Sequence, residues 1–580
     1  MADVKPLPDE VLNLICEDLG QQRDFSTLFK CAQSCTSLAD PALRTMYRCV
    51  TPGGRNNTGS DRFRLHEQSP AFSQSDEIEA QRQRRPVDYE TKVAERDLLF
   101  RKWLCLWRSI ILSSLEKTYR PYCHYLRILD FRNLSQLFED FRFLAASRGF
   151  FAGGLEIFHF TKEDIYGRNA KSPSKKRIFQ STDIFPTLNA IGEAVTQRTS
   201  LLEELDGHFS KKFLPQWTAR SPRLHSLVLW EGNALGNGVE DAIRENCQSF
   251  RSLTIRQWLE SDADQTFATF VSGLRPNTLE YFEMISFSNI ASLSFNALNE
   301  HSKSLTELTL GSLHDDAILA LGRLKECTAL RTLVLEDNVG SLQLEATQND
   351  IFLEIVEWLS ACSNLRDLTL KKFYDGPAIL AQVLSSPNVS LIKLSLEGYV
   401  VRRHGSAAFH TSLSEQPELQ SVWLKGDGDE VLPNDLDIMV DALCRLPNLR
   451  ELVLKDVSDE FDESHIIRLA LGLPLLEDFW TSGGEVSSDV LPCLTSLKNL
   501  KNLTLYALTK FSFQEITDFI SELDVQTQRG FNLSLMASDV EHDLSEEEQN
   551  LIREILKTEL DGRFDFVLWR DAEPSDIDSD

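Results

Sequence analysis

Few residues of this chain have the types and spacing that chemistry requires. Cys31 and Cys35 lie one helical turn apart and could share a metal ion, but no second pair of ligands follows them. Cys123 and His124 stand without a third partner, and the acidic segment at 426–430 lacks the glutamate spacing of a calcium-binding loop. The motifs G-x-S-x-G and G-x-x-x-x-G-K-[ST] are absent from the sequence. We therefore expect no catalytic residue, no metal site and no cofactor, and we interpret the chain as a non-catalytic binding protein.

The composition limits the classes of partner. In 580 residues, 60 Lys and Arg oppose 88 Asp and Glu, which gives a formal net charge of −28. Phosphate contact requires a basic face, so this balance argues against nucleic acid and against an anionic membrane surface. The sequence contains no secretory leader pattern and no long apolar run, so we expect no membrane span. The eleven scattered cysteines are then expected to be reduced thiols, in the cytoplasm or the nucleus.

Residues 1–50 have the pattern of a small helical unit. An apolar stripe at helical spacing follows Pro8, Asp24 stands where it can cap a second helix, and Asp40 before a proline indicates the start of a third. Three short helices in about 45 residues bury too little apolar surface to be stable alone. We therefore expect contact with a partner to stabilise this unit.

The stretches that flank the central part of the chain differ in character. Residues 51–90 are polar and rich in turn-forming residues, as is typical of a flexible linker. Residues 91–125 regain helical periodicity and are predicted to cap the central part of the chain at its N-terminal end. At the far end, residues 571–580 form an acidic segment that we interpret as a solvated tail.

Residues 126–570 repeat the unit L-x-x-L-x-L. Copies begin at residues 224, 250, 279, 305, 330, 365, 391, 419, 449, 476 and 500, at intervals of 24 to 35 residues, and weaker copies begin at 126 and 155. This period is typical of leucine-rich repeats, in which each unit contributes one strand and one helix. We predict an α/β fold, with an N-terminal three-helix unit followed by a leucine-rich-repeat solenoid that has a concave parallel β-sheet.

A cysteine slot accompanies several repeats. Cys247, Cys327 and Cys362 each precede the first apolar residue of a repeat by three positions, and leucine occupies the same slot elsewhere. A slot that accepts Cys or Leu is predicted to be a buried packing position rather than a metal site.

The repeat geometry points to a binding surface. In L-x-x-L-x-L the leucines face the core, so the residues between them face the concave side of the sheet. Trp423 and Trp480 are predicted to be exposed there, and Lys371, Lys425 and Lys455 share the next column. Such a face could bind an acidic or phosphorylated peptide of a target protein. The alternative is that loops cover the tryptophans and that the lysines are ordinary solvated charges.

The N-terminal segment LPDEVLNLICEDLGQQRDFSTLFKCAQSCTSLADPALRTMYR resembles an F-box. An F-box followed by leucine-rich repeats is similar to the F-box/leucine-rich-repeat proteins, and the long linker resembles fungal members. The resemblance implies a substrate-recognition subunit of a Skp–cullin–F-box type ubiquitin ligase. In that family the F-box binds a Skp-type adaptor, and through it a cullin, while the repeats hold an unidentified protein substrate. The residues predicted to contact the adaptor are Leu7, Pro8, Val11, Leu14, Ile15 and Leu28. A ligase-independent leucine-rich-repeat scaffold or inhibitor stays open as the alternative.

Overall fold

The computed structural model describes residues 7–22, 24–48, 86–166, 177–399, 406–426, 433–458, 460–537 and 544–568. The chain divides at Leu279 into two compact units. Most of the predicted linker (51–85), the end of the acidic segment at 426–430 and the predicted tail (571–580) lie outside the described residues.

The first unit begins with three helices, α1 (Asp9–Gln21), α2 (Phe25–Ser34) and α3 (Thr36–Arg48). Their core is formed by Cys16, Leu28 and Ala42, each 0% exposed. Leu28 was predicted to contact the adaptor, but its side chain is 0% exposed and packs in this core. Asp24 caps α2 as predicted, since its carboxylate accepts a hydrogen bond from the backbone N–H of Thr27 at 2.9 Å.

The start of α3 differs from the prediction. Asp40 was expected to cap this helix, but α3 begins at Thr36 and contains Pro41. The Asp40 carboxylate instead accepts a hydrogen bond from the Tyr125 hydroxyl at 2.7 Å and forms an ion pair with Arg120 at 3.5 Å. The Asp40 side chain therefore makes long-range contacts instead of the helix cap that the local sequence predicts.

The long helix α4 (Pro86–Ser114) follows, and it begins inside the stretch predicted as linker. The Tyr47 and Ser109 hydroxyls hydrogen-bond at 2.8 Å, and the rings of Tyr47 and Tyr122 stack with their centroids 4.7 Å apart. These contacts join α3 to the rest of the first unit through one face of that helix.

The remainder of the first unit contains four parallel strands, paired in the order β1, β4, β5 and β6, and a separate antiparallel pair. The parallel strands are β1 (Ile128–Asp130), β4 (Glu204–Gly207), β5 (Ser226–Glu231) and β6 (Ser252–Gln257), and the pair is β2 (Thr161–Tyr166) with β3 (Arg177–Thr182). The helices are α5 (Phe131–Glu139), α6 (Phe143–Phe150), α7 (Ile184–Thr196), α8 (Leu214–Ala219), α9 (Val239–Asn246) and α10 (Ala263–Gly273).

The weak repeat copy at residue 155 does not form a strand. Residues Glu156–Phe158 form a short 3-10 helix, because the Glu156 carboxylate accepts hydrogen bonds from the backbone N–H groups of Gly153 and Gly154, both of which have positive φ. The strand that pairs with β1 is β4, in which Gly207 occupies the third apolar position. A Cβ at Gly207 would lie 2.9 Å from the Phe131 Cβ, so close packing requires glycine at this position. Because glycine replaces the expected leucine, a search for the L-x-x-L-x-L pattern does not find this repeat.

The second unit contains eleven parallel strands that pair in chain order. They are β7 (Tyr281–Met284), β8 (Glu307–Leu313), β9 (Thr332–Asp337), β10 (Asp367–Lys371), β11 (Lys393–Tyr399), β12 (Ser421–Gly426), β13 (Glu451–Lys455), β14 (Asp478–Ser487), β15 (Asn502–Lys510), β16 (Asn532–Ala537) and β17 (Arg563–Leu568). The helices between them are α11 (Ser292–Leu298), α12 (Asp315–Leu319), α13 (Leu344–Thr347), α14 (Asn349–Ala361), α15 (Gly376–Leu384), α16 (Ser406–Leu413), α17 (Pro433–Leu443), α18 (Glu463–Gly472), α19 (Leu491–Leu494), α20 (Phe513–Ser521) and α21 (Glu546–Leu560).

The register of this sheet follows the repeat without a slip at the leucine positions. Leu333 pairs with Leu368, Leu368 with Leu394, and Val422 with Leu452. The central leucines are fully buried, as the pattern predicts. The chain therefore has the α/β architecture of leucine-rich repeats, with one parallel strand for each repeat.

The predicted cysteine slot is a buried position that also satisfies backbone carbonyls. The Cys362 Sγ–H donates to the Cys327 carbonyl at 3.7 Å, and the Cys327 Sγ–H to the Leu298 carbonyl at 3.6 Å. Gln416 fills the same slot in a later repeat, where its Nε2 donates to the Leu384 carbonyl at 2.7 Å. At these three positions the slot residue thus links its helix–strand connection to the repeat before it.

Candidate functional site

We call the side of the second unit's sheet that is opposite the leucine core the open face. Trp423 on β12 and Trp480 on β14 both lie on it, at equivalent strand positions, because Trp423 pairs with Val453 and Val453 with Trp480. Two strand steps of about 4.8 Å separate the two positions by about 10 Å. Trp423 is exposed and Trp480 is half-buried, so both rings are available on one surface.

An aromatic residue that the prediction left out completes this surface. Tyr506 lies on β15, and its ring meets the Trp480 ring edge-on at 5.5 Å between centroids. It occupies the strand position that Lys425 and Lys455 occupy in earlier repeats, and 38% of it is exposed. The signal that could have found it is this shared position in the repeat.

Two of the three predicted lysines lie beside the tryptophans. Lys425 and Lys455 are register partners on β12 and β13, and the Lys455 Nζ lies 5.7 Å from the centre of the Trp480 ring. Such an arrangement stabilises the ammonium group through the electron-rich face of the ring. The structure therefore brings positive charge and aromatic surface together.

Lys371 does not join this group as a positive charge. Its Nζ lies 3.6 Å from the Glu397 carboxylate, and Glu336 is its register partner on the opposite side. In the predicted column the register order is Glu336, Lys371, Glu397 and Lys425. The repeat pattern identified the column, but the glutamates within it weaken the positive charge of Lys371.

A second surface lies on the N-terminal helices. Five of the six residues predicted to contact an adaptor are exposed, with Leu14 at 65% and Leu7 at 55%, and only Leu28 is buried. Phe25 and Phe29 on α2 are exposed as well, the latter at 52%. The prediction did not include these two among the adaptor contacts, although they are four residues apart and therefore lie on one side of α2. We call the exposed side chains Leu7, Val11, Leu14, Ile15, Phe25 and Phe29 the N-terminal apolar face.

The three cysteines of the predicted slot, Cys247, Cys327 and Cys362, are buried. Burial raises the pKa values of Cys247, Cys327 and Cys362 to about 12, so these thiols stay protonated near neutral pH. Within the described ranges, His, Cys, Asp and Glu form no group of three that could hold a metal ion. None of the helices in the described part of the chain is long and apolar enough to span a membrane.

Comparison with known proteins finds similarity in structure but not in sequence. No protein-family model matches the chain, and no curated protein matches it in sequence. Solved structures similar to it include the yeast Rad7 and Elc1 complex, at 14% identity and a TM-score of 0.34, over 62% of this chain and 86% of the other. The TLR13–ssRNA13 complex is 14% identical with a TM-score of 0.35, over 58% of this chain and 46% of the other. The mouse RP105/MD-1 complex is 14% identical with a TM-score of 0.30, over 63% of this chain and 71% of the other.

Proposed function

We propose that this protein is the substrate-recognition subunit of a Skp–cullin–F-box type ubiquitin ligase, working in the cytoplasm or nucleus. It carries out no chemistry itself. The N-terminal helices bind a Skp-type adaptor, which links the chain to a cullin, and the open face of the repeats holds a target protein. The observation that carries the proposal is the N-terminal apolar face.

The division of surfaces within the helical unit supports an adaptor site. The contacts of Tyr47 and Asp40 fix α3 to the rest of the first unit, so α3 is already used for attachment. Leu7, Val11, Leu14 and Ile15 lie outside the core formed by Cys16, Leu28 and Ala42. Several large apolar side chains exposed on one small helical unit are typical of an interaction site.

Burial of this face would provide the driving force for binding. Each large apolar side chain transferred from water to an interface contributes roughly 1.5–3 kcal/mol when it is fully buried. Val11, Leu14 and Ile15 follow i, i+3 and i+4 spacing within α1, so they lie along one side of that helix. A groove on an adaptor could cover them together.

The test is co-purification of the tagged full chain with a Skp-type adaptor and its cullin. Leu14→Glu places a charge in the middle of the N-terminal apolar face and is expected to abolish adaptor capture. Leu471→Glu is the matched control, because Leu471 is 66% exposed on α18, in the second unit, and should leave capture unchanged. A full chain that captures a target but no adaptor would contradict the proposal and favour a ligase-independent scaffold or inhibitor.

A further inference from the structure

Three parallel rows of side chains cross the open face between β12 and β14. The middle row is Trp423, Val453 and Trp480. Two residues further along the strands, Lys425 and Lys455 form a positive row. Two residues before the middle row, Glu451 and Asp478 are register partners and form a negative row. We call these three rows the bipolar patch.

The negative row holds two carboxylates that face each other across neighbouring strands. Glu451 accepts a hydrogen bond from the Ser421 hydroxyl at 2.7 Å, and Asp478 accepts one from the Asn502 amide. Burial, together with the charges of Glu451 and Glu477, raises the pKa of Asp478 above its ordinary value. Among the described residues, no Lys, Arg or His forms an ion pair with Glu451 or Asp478. A cation brought by a partner would relieve the repulsion between the two carboxylates.

The positive row is equally open to a partner. Within the described part of the chain, neither Lys425 nor Lys455 forms an ion pair with a carboxylate, and both are half-buried. Lys455 rests against the Trp480 ring at 5.7 Å, which leaves its ammonium group beside aromatic surface. The two edges of the aromatic row thus carry opposite charges.

We propose that the bipolar patch binds an extended segment of a partner protein in which a basic and an acidic residue lie four positions apart and flank a large apolar residue. The inference rests on the proposed function of the open face as the target-binding surface, and it specifies the chemistry of the target. Alternate side chains of an extended chain are about 6.6 Å apart, which is also the spacing of rows two residues apart on a strand. A segment aligned with the strands therefore presents its basic, apolar and acidic side chains to the three rows in register.

This geometry disfavours the uniformly acidic or phosphorylated peptide that the lysines alone suggest. A segment with negative charge at both ends would place one of its charges beside Glu451 and Asp478. Like charges in contact across an interface oppose binding, and in this way they contribute to specificity. The negative row therefore selects a segment of mixed charge.

The experiment uses a random nonapeptide library displayed on phage and selected on the full chain. Parallel selection on Trp423→Ala/Trp480→Ala identifies and removes sequences that bind elsewhere. We expect the remaining sequences to contain opposite charges at i and i+4 around an apolar residue at least five times more often than the unselected library does.

Charge inversion provides the decisive control. Glu451→Lys/Asp478→Lys makes both edges positive and should shift the enriched sequences to acidic residues at both ends. Glu357→Lys/Glu554→Lys changes the net charge equally on exposed helix positions of α14 and α21 and should keep the mixed pattern.

Three outcomes would overturn the inference. They are enrichment of like charges by the parent chain, no enrichment above the library, and a Glu451→Lys/Asp478→Lys variant that selects the same sequences as the parent. In each case the proposed function could still stand, because adaptor capture by the N-terminal apolar face is measured independently of the patch.

Discussion

The Lys455 ammonium lies 5.7 Å from the centre of the Trp480 ring on the neighbouring strand. This contact joins a charged and an aromatic row across β13 and β14. A cation–π contact at an accessible site contributes about 0.5–1 kcal/mol. A double-mutant cycle with Lys455→Met and Trp480→Leu, measured by urea unfolding, should give a coupling of that size. The cycle with Lys425→Met in place of Lys455→Met should give almost none, and equal coupling in both would contradict the assignment.

The leucine positions should dominate the stability of the second unit. Leu368 is fully buried between register partners Leu333 and Leu394, so Leu368→Ala removes packed methyl groups and leaves a cavity. We expect a loss of about 2–5 kcal/mol in the free energy of unfolding. Leu471→Ala, at an exposed position, should change it by less than about 0.5 kcal/mol. Similar losses for the two variants would be inconsistent with the repeat core.

Thiol reactivity should separate Cys35 from the buried cysteines of the slot. Cys35 is exposed, and its hydrogen bond with the Ser37 hydroxyl lowers the pKa of its thiol, whereas burial raises those of Cys327 and Cys362 to about 12. Titration of the folded chain with a thiol reagent at pH 8 should modify Cys35 in a fast phase. Cys35→Ser should remove one thiol from that phase. Modification of Cys327 or Cys362 in the folded chain would show that these thiols are accessible to solvent, which would contradict their burial.

Acid should destabilise the second unit through a buried histidine. Burial lowers the pKa of His410 to about 4, against about 6.5 in an unfolded chain. Between these values the unfolded chain binds more protons than the folded one, so stability is present above about pH 6.5 and is lost as the pH falls toward about 4. The contribution is about 3 kcal/mol across that window. His410→Leu should flatten the dependence of unfolding on pH, whereas His124→Gln, at an exposed residue, should not. An unchanged dependence in His410→Leu would rule out this origin.

The sequence predicts the repeat architecture well because the leucine spacing reports directly on burial. Repeats escape notice where the first or third apolar position is lost. In the repeats that contain β16 and β17, the first position lies before the strand and is held by Gly530 and Asp561, both with positive φ. These two repeats have a turn residue with positive φ in place of the first leucine. The L-x-x-L-x-L pattern therefore does not identify them.

The candidate surfaces were predictable in part. Helical spacing identified the stripe on α1, but it could not tell which apolar residue of α2 is buried in the core of the three helices, which is Leu28. Strand periodicity placed Trp423 and Trp480 on one face. It did not reveal that Lys371 forms an ion pair with Glu397, since this depends on the distance between the two side chains.

The central claim is that the N-terminal apolar face binds a Skp-type adaptor. The most direct measurement is the dissociation constant between the full chain and a purified adaptor, determined by titration calorimetry for the parent, Leu14→Glu and Leu471→Glu. We predict saturable one-to-one binding, weakened at least thirty-fold by Leu14→Glu, which corresponds to about 2 kcal/mol for a central contact, and unchanged by Leu471→Glu. Absence of binding by the parent, or equal binding by a folded Leu14→Glu variant, would contradict the account.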